Sequence, residues 1–319
     1  MKNIYPNILK SNLRNLYRAK KNIENNNIIG LPTETVYGLA GNAYSNKSVK
    51  KIFHIKKRPS YNPLIIHFKN LKNAKKDVII NNNFLKLYSV LCPGPITFIL
   101  KKKHTSKISK IASAEKKTIA IRFPKHKVAR KLLGLLKVPL AAPSANISSK
   151  LSPTSPKDVV EEFKYKIKII LDGGKSKIGL ESTIVDLTDK PKILRPGSIT
   201  DKKISKILNK RVMICKKTKE IKSPGQLKIH YSPGIPVKMN KIINSNKNEA
   251  LIVFGKIYKK SNKYFYLSKK GDLHEAANNL YKILREIKNK GFKSIAVNKI
   301  PNIGIGIAIN DRLRKASNK

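Results

Sequence analysis

The sequence predicts an α/β (mixed α+β) protein built in two parts. Three observations carry this reading. Short apolar runs alternate with segments whose apolar residues recur at helical spacing through about the first two hundred residues. A basic, turn-rich stretch follows from Asn209 to Pro236, with Ser223-Pro-Gly225 and His230-Tyr-Ser-Pro-Gly234 as turn signals. Beyond it lies one strand–helix–strand unit, the pattern of a small parallel sheet. The chain has 319 residues, long for one domain and comfortable for two.

Each element follows from local residue choice. Met1 to Lys21 reads as a first helix, with Ile8, Leu9, Leu13 and Leu16 on one face. Ile28, Ile29 and Leu31 form an apolar strand that runs into Pro32 and the hydroxyl-rich Thr33-Glu-Thr35 turn. Ser45 or Asn46 caps a helix with Val49, Ile52 and Phe53 inside. That helix stops near Arg58, because a residue before proline disfavours the helical region. Pro63 to Phe68 is a short buried strand, and the helix from Phe84 to Leu91 is broken by Pro93-Gly94-Pro95. Ile96 to Lys101 is a strand, as is Thr118 to Phe123, where Thr118, Ala120 and Arg122 share a face. Val128, Leu132, Leu135 and Leu136 line the next helix, and Val138 to Ala142 is a strand entering Pro143-Ser-Ala-Asn146. Ser155 caps a helix with Pro156 at its first position and Asp158 as the capping-box acid. Ile167 to Leu171, Thr183 to Leu187 and Lys192 to Arg195 are strands, and Ile199 to Leu208 is a helix. In the second part Ala250 to Phe254 and Ser294 to Val297 are strands. Leu273 to Ile287 is a helix that buries Leu273, Ala276, Ala277, Leu280 and Leu284.

Composition excludes some classes and leaves others open. Hydrophobic residues make up 40%, so the chain is globular. No run of about eighteen apolar residues is present, so no membrane helix is expected. The basic N-terminus lacks an apolar stretch and much serine, which argues for a helix over a targeting peptide; the expected compartment is the cytoplasm. Cys92 and Cys215 are far apart, giving neither a metal-ligand spacing nor a disulfide framework. The formal charge is +51. A polyanion partner fits it through long-range attraction of phosphates. A coding bias toward Lys, Asn and Ile produces the same composition, so the charge locates no site.

Two glycine motifs carry no chemistry. Gly173-Gly-Lys-Ser176 looks like half a phosphate-binding P-loop, but Ile169 stands where its first glycine belongs, and a strand follows instead of a helix. Gly304-Ile-Gly306 lacks the third glycine of a dinucleotide fingerprint and reads as tight packing. Ser144 is not in a nucleophile elbow. The remaining polar residues sit where strands end or loops begin, the usual place for ligand contacts in α/β sheets. Thr33 and Thr35 follow one strand and His67 lies within another. Arg122 is on a strand face, Ser144 and Asn146 follow a strand, Glu181, Ser182 and Thr183 precede one, and Arg195 closes one. Singly, each has a structural reading: His67 as a hydrogen-bonded core histidine, Thr35 and Ser182 as turn caps, Arg122 as an ion pair, Lys56 as a helix end. Together, hydroxyls and cations without a catalytic carboxylate pair suggest an anionic substrate and phosphates, with chemistry resting on positioning and charge neutralisation.

Several ordered motifs carry a family resemblance. They are Leu31-Pro-Thr-Glu-Thr-Val-Tyr-Gly-Leu39, Lys56-x-Arg58 with Pro59, Asn62, Pro63 and Leu64, Ala141-Ala-Pro-Ser-Ala-Asn146, Asp172-Gly-Gly174, Glu181-Ser-Thr-Ile-Val-Asp186 and Leu194-Arg-Pro-Gly197. Their order and spacing resemble the L-threonylcarbamoyladenylate synthase family, of which the Lys-x-Arg and Ser-x-Asn pair is the signature. Ser223 to Pro233 is similar to the linker motif of the two-domain form, although Gln226 stands where methionine is usual. Asp311-Arg-Leu-Arg-Lys315 resembles its C-terminal end. The resemblance implies a three-layer, twisted mixed sheet flanked by helices (YrdC-like, residues 1–208), a linker or lid (209–236) and a small Rossmann-like α/β domain (237–319). It implies synthesis of threonylcarbamoyl-AMP and pyrophosphate from L-threonine, bicarbonate or carbon dioxide, and ATP, with magnesium bridging phosphates and no metal site on the protein. A downstream transferase would carry the threonylcarbamoyl group to tRNA beside the anticodon. By resemblance Lys56 and Arg58 are catalytic and hold phosphates. Asn62, Thr118, Ser144, Asn146, Ser152, Arg195 and Tyr231 are further ATP contacts. Thr35, His67, Arg122, Ser182 and the backbone of Ala142 hold threonine, with Arg122 as the carboxylate fork. The rival reading is a non-catalytic binder of double-stranded RNA or tRNA with the same fold, which the charge favours. A second rival is another carbamoyl-adenylating enzyme that shares the fold.

Overall fold

The computed structural model describes residues 5–215, 222–226, 230–243, 246–256 and 261–317. Leu227, Lys228 and Ile229 of the linker motif, and Met1 to Ile4 of the expected first helix, lie outside these. The chain opens with β1 (Ile8–Lys10), α1 (Leu13–Glu24), β2 (Ile29–Leu31), β3 (Gly38–Asn42), α2 (Asn46–Lys56), β4 (Ile65–His67), α3 (Leu71–Ala74), α4 (Asn82–Leu91) and β5 (Ile96–Lys101). It continues with β6 (Thr118–Arg122), α5 (Lys127–Leu135), β7 (Leu140–Ala141), α6 (Pro156–Phe163), β8 (Ile170–Asp172), β9 (Thr183–Asp186), β10 (Lys192–Arg195), α7 (Asp201–Leu208) and β11 (Met213–Ile214). These strands make one mixed sheet in the order β1-β8-β2-β3-β7-β4-β6-β5-β9-β10-β11.

Alternate residues along a strand point to opposite faces, and the core records this. Leu39 packs with Val49, Ile52, Phe84, Leu87 and Phe163 on one side. Its neighbour Ala40 packs with Leu16, Ile23, Val128 and Leu132 on the other. So α1 and α5 cover one face, while α2, α4, α6 and α7 cover the other, giving the three layers expected. A second, parallel sheet of order β12-β15-β13-β14 follows, from β12 (Val237–Lys238), β13 (Glu249–Phe254), β14 (Tyr264–Ser268) and β15 (Ser294–Val297). It packs with α8 (Leu273–Asn289) and α9 (Gly306–Ser317).

Local signals explain the boundaries. Ser45 accepts from the Ser48 amide to start α2, and Lys57 ends it in the left-handed region at φ 48°. The Ser155–Asp158 capping box and Pro156 at the first position of α6 are present as predicted. Gly306 opens α9 where an added Cβ would meet the Pro301 carbonyl, so this glycine is a packing glycine. Ser176 of the rejected P-loop donates to the Thr33 carbonyl, so it serves the fold.

One expectation is corrected. Ile8 and Leu9 are not on a helix: they form β1, paired in parallel with β8. Asn12 accepts from the Asn15 amide and fixes the helix start after it, and Leu13 faces solvent. The strands β3, β11, β12 and β14 and the helices α3 and α9 were not predicted. β11, inside the stretch read as linker, pairs with β10 in the large sheet.

The two sheet units share an apolar cluster. Val36, Leu151 and Leu180 pack with residues of the second unit such as Leu280 and Leu284. Asn278 of α8 donates to the carbonyls of Ser176 and Lys177, and Arg285 pairs with Asp158 at 3.5 Å. Gly179 makes the closest approach: a Cβ there would lie 2.6 Å from the Asn278 Cα, at φ +79°. Gly174 has a similar φ of +70° but faces open space. Gly174→Ala should therefore cost about 1 kcal/mol for left-handed backbone alone. Gly179→Ala should cost about 2–4 kcal/mol, because the helix backbone opposite cannot yield. Urea unfolding of the two variants checks this; equal losses would mean that the contact with α8 is not tight.

Candidate active site

The turn after β2 begins the site. Thr33 Oγ1 accepts from the amides of Thr35 and Val36 and donates to the Val36 carbonyl, which fixes the turn. Thr35 Oγ1 then accepts from Arg122 Nη1 at 2.9 Å. Arg122 Nη2 donates to Glu34 Oε1 at 2.7 Å, and Nε is buried without a partner. The fork of Arg122 is thus partly used by the protein itself, and the expected ion pair is with Glu34. His67 lies beside Arg122 in the β4–β6 register. It is buried, and its Nδ1 has no partner. Burial, then the charge of Arg122, push its pKa well below the usual histidine value, so it is neutral.

A second group of cations borders the same cavity. Arg58 donates from Nε to the Asn62 carbonyl at 2.8 Å and from Nη2 to Asn62 Oδ1 and the Pro63 carbonyl. Arg195 donates to the Ser182 carbonyl at 3.0 Å and to Ser182 Oγ at 3.1 Å, and Ser182 Oγ also bonds Thr97 Oγ1. Burial, and then the neighbouring Arg195, push the Arg58 guanidinium down to about 9, still charged at neutral pH. The lysine Lys56 lies one layer behind. Its ammonium is 1% exposed and donates to the carbonyls of Ser144 (2.6 Å) and Asn146, stapling the loop after β7 to the end of α2.

The cavity between these groups is lined by Thr33, Thr35, Arg58, His67, Arg122, Ala142, Ser144, Glu181, Arg195, Pro224, His230 and Tyr231, among others. Thr35, Arg58, His67, Arg122, Ala142, Ser144, Arg195 and Tyr231 therefore line one cavity. Lys56, Asn62, Asn146, Ser152 and Ser182 are buried and are not lining residues; Asn62, Asn146 and Lys56 hold the loops that are. Thr118 starts β6 opposite Lys101, away from Arg122 at the strand's other end. Glu181, Glu34, Tyr281 and Arg312 were missed as partners. Glu181 accepts from Ser152, Tyr281 and Arg312. Burial pushes its carboxyl up, but Arg312 and Arg195 outweigh this and hold it at about 2.

The linker closes the cavity. Gly225, at φ +85°, leaves the space that Tyr231 Oη and Arg195 Cδ need, each 2.9 Å from where a Cβ would stand. Gln226 Oε1 accepts from the amides of Lys222 and Ser223 at 2.8 Å, which a methionine could not do. Tyr231 is 1% exposed and has the left-handed φ of 62°. The remaining space is about 40 Å³, room for about three waters.

Comparisons with known proteins give the family. Residues 21–197 match the Sua5/YciO/YrdC family model, described as "Telomere recombination". The chain belongs to this family. Residues 199–318 match a second model, described as "Threonylcarbamoyl-AMP synthase, C-terminal domain". The chain is 37% identical over 318 residues to the threonylcarbamoyl-AMP synthase of Pyrococcus abyssi, covering 92% of each. It is 33% identical to the enzyme of that name from Bacillus subtilis, covering 97% of this chain and 94% of the other. The crystal structure of P. abyssi Sua5 complexed with L-threonine superposes with a TM-score of 0.89 at 33% identity, over 97% of this chain and 96% of that one. This member thus has the Sua5 arrangement of a catalytic sheet and a second α/β unit.

The buried histidines set an acid response. His230 is held at about 3 by burial and nearby cations, and His67 well below its usual 6.5 by burial. The unfolded chain takes up these protons near pH 6.5 while the folded chain does not, so the stability they contribute is full above that pH and falls below it. Glu181 adds its own loss only below about 4.5, its ordinary value. Between those limits each histidine should cost about 1.4 kcal/mol per pH unit. Denaturant unfolding of His230→Gln should show a slope shallower by about one proton; an unchanged slope would mean that His230 charges freely in the folded protein.

Proposed function

We infer that this chain is a threonylcarbamoyl-AMP synthase: it joins L-threonine, bicarbonate or carbon dioxide, and ATP into L-threonylcarbamoyladenylate and releases pyrophosphate. The observation that supports it most is the single cavity in which Thr35, His67 and Arg122 face Arg58 and Arg195 beneath Tyr231. The neutral threonine amine attacks carbon dioxide and gives up a proton (from bicarbonate, water is lost) to form a carbamate, and one carbamate oxygen attacks the α-phosphorus as pyrophosphate leaves. Two anions must meet, so fixed cations lower the barrier more than proton transfer does. A threonine carboxylate would satisfy the unpaired Nε of Arg122, a buried donor that otherwise costs about 1–3 kcal/mol. Neutral His67 offers its unpaired Nδ1 to the same ligand. Arg58, Arg195 and Ser144 take the phosphates, and the Lys56 staple holds Ser144 in place.

Magnesium does not fit the wall as a protein-held ion. Among the described residues no group of three or more His, Cys, Asp or Glu side chains could bind a metal, and Glu181 is already taken by Arg312, Tyr281 and Ser152. In this reading the ion arrives with the triphosphate, and no step is assigned to it.

The part of the segment 209–236 that follows β11 acts as a lid. In this reading ATP enters when the lid lifts, and the lid then recloses to exclude water. Residues 1–208 and 237–319 are the catalytic and Rossmann-like domains of this scheme. Onward transfer to tRNA by a partner, and contact with tRNA or double-stranded RNA through the +51 surface, extend the same proposal. No helix among the described residues is long and apolar enough to cross a membrane, and the cytoplasm is the proposed compartment.

Pyrophosphate release with ATP, threonine and bicarbonate, each omitted in turn, tests the reaction. It should require all three. Arg58→Ala should lower kcat/KM by about a hundredfold or more while the protein still melts cooperatively. Tyr231→Ala should raise the ATP hydrolysed per threonylcarbamoyl-AMP formed. Release independent of threonine would contradict the assignment, and unchanged partitioning would contradict the lid.

A further inference from the structure

The cavity wall is completed from the far end of the chain. Arg312 lies on α9, 131 residues beyond Glu181, and is 1% exposed. Its Nε donates to Glu181 Oε2 at 2.9 Å, and its Nη1 donates to the Pro196 carbonyl at 2.9 Å and to Asp311 Oδ2 at 2.8 Å. Its Cζ lies 5.1 Å from the centre of the Tyr231 ring, within cation–π range. Lys315, one turn on, accepts the His230 amide at its carbonyl, and Tyr281 stacks on Tyr231 at 6.0 Å while donating to Glu181. One guanidinium thus touches both a fixed wall residue and the covering tyrosine.

We propose that Arg312 is a positioning residue for the reaction: from the C-terminal unit it holds Tyr231 over the cavity and neutralises Glu181 in the wall. This rests on the reading of the cavity as a site for ATP. Two physical needs support it. Tyr231 has a left-handed backbone, which a non-glycine residue keeps only when its surroundings hold it there. Glu181 lines a cavity whose other charged lining residues are the arginines Arg58, Arg122 and Arg195, and unpaired it would repel phosphates. Arginine meets both needs at once, since its planar face stacks on a ring while its edge binds a carboxylate; lysine cannot do both. Docking of the second unit does not require this contact. Asn278, Arg285 and the apolar contacts of Leu151 and Leu180 already provide it.

The test uses the full chain. Arg312→Lys keeps the charge and removes the planar fork. Lys222, in the described part of the linker and paired with Asp186, supplies a trypsin site that reports lid release without any activity. Arg312→Lys should melt close to the parent, yet its linker should be cut about fivefold faster or more. Its KM for ATP should rise about tenfold or more, while KM for threonine stays within about twofold. Tyr231→Leu, which leaves the Arg312–Glu181 pair intact, should release the linker to the same extent, and the double variant should add little further. A folded Arg312→Lys with the parent's cleavage rate and ATP KM would overturn the proposal. So would fully additive effects of the two substitutions. Should Arg312→Lys fail to fold, Tyr231→Leu decides: cleavage at the parent rate would overturn the hold. An inactive parent would defeat the assigned reaction instead, and linker cleavage would still test the hold.

Discussion

Two guanidiniums that line one small cavity, Arg195 buried and Arg58 half-buried, set the terms for the rest of the structure. Arg195 pushes the charge of Arg58 down, and neither has a carboxylate ion-pair partner of its own among the described residues. Desolvated like charges are costly, and the fold offsets this with oriented oxygens: Asn62 and Pro63 for Arg58, and Ser182 for Arg195. What remains is an unfilled demand for an anion, arranged before any ligand arrives. This is the device that acceleration of a reaction between two anions needs.

The constraint explains why the site is assembled from so many elements. No single turn can carry several cations at converging angles. The β4–β6 register sets His67 beside Arg122, the β9–β10 pairing sets Ser182 near Arg195, and α2 ends at the Lys56–Arg58 corner. Carboxylates enter this cationic wall only in harness. Glu34 is tied to Arg122 and Glu181 to Arg312, so neither opposes the phosphates. The second sheet unit then has a role beyond bulk, because it provides the cation that quiets Glu181 and the surface under the lid.

Much of this was legible in the sequence because the deciding forces are local. The capping box of Ser155 and Asp158, the stop before Pro59 and the strand at Ile96–Lys101 each follow from a few neighbouring residues. Thr35, Arg58, His67, Ser144 and Arg195 stood out because hydroxyls and cations recurred at strand ends. The first strand was misread because Ile8 and Leu9 fit a helical face equally well, and only pairing with β8 settles the matter. The two-residue strands β11 and β12 carry too little pattern to read. The Glu181–Arg312 pair had no local signal at all: the 131 residues between them are closed by the packing of α8 and α9, which sequence spacing does not encode. Likewise the sequence left Arg122 between an ion pair and a ligand-binding fork, and the fold shows that Glu34, its near neighbour in space, occupies part of it.

The central claim is that one cavity has a phosphate end at Arg58 and a threonine end at Arg122. Calorimetric titration of ATP and of threonine into Arg58→Ala, beside the parent chain, tests it most directly. The account predicts ATP binding weakened by about tenfold or more with threonine affinity changed by less than about twofold. Equal loss of both ligands, or undiminished ATP binding, would contradict it.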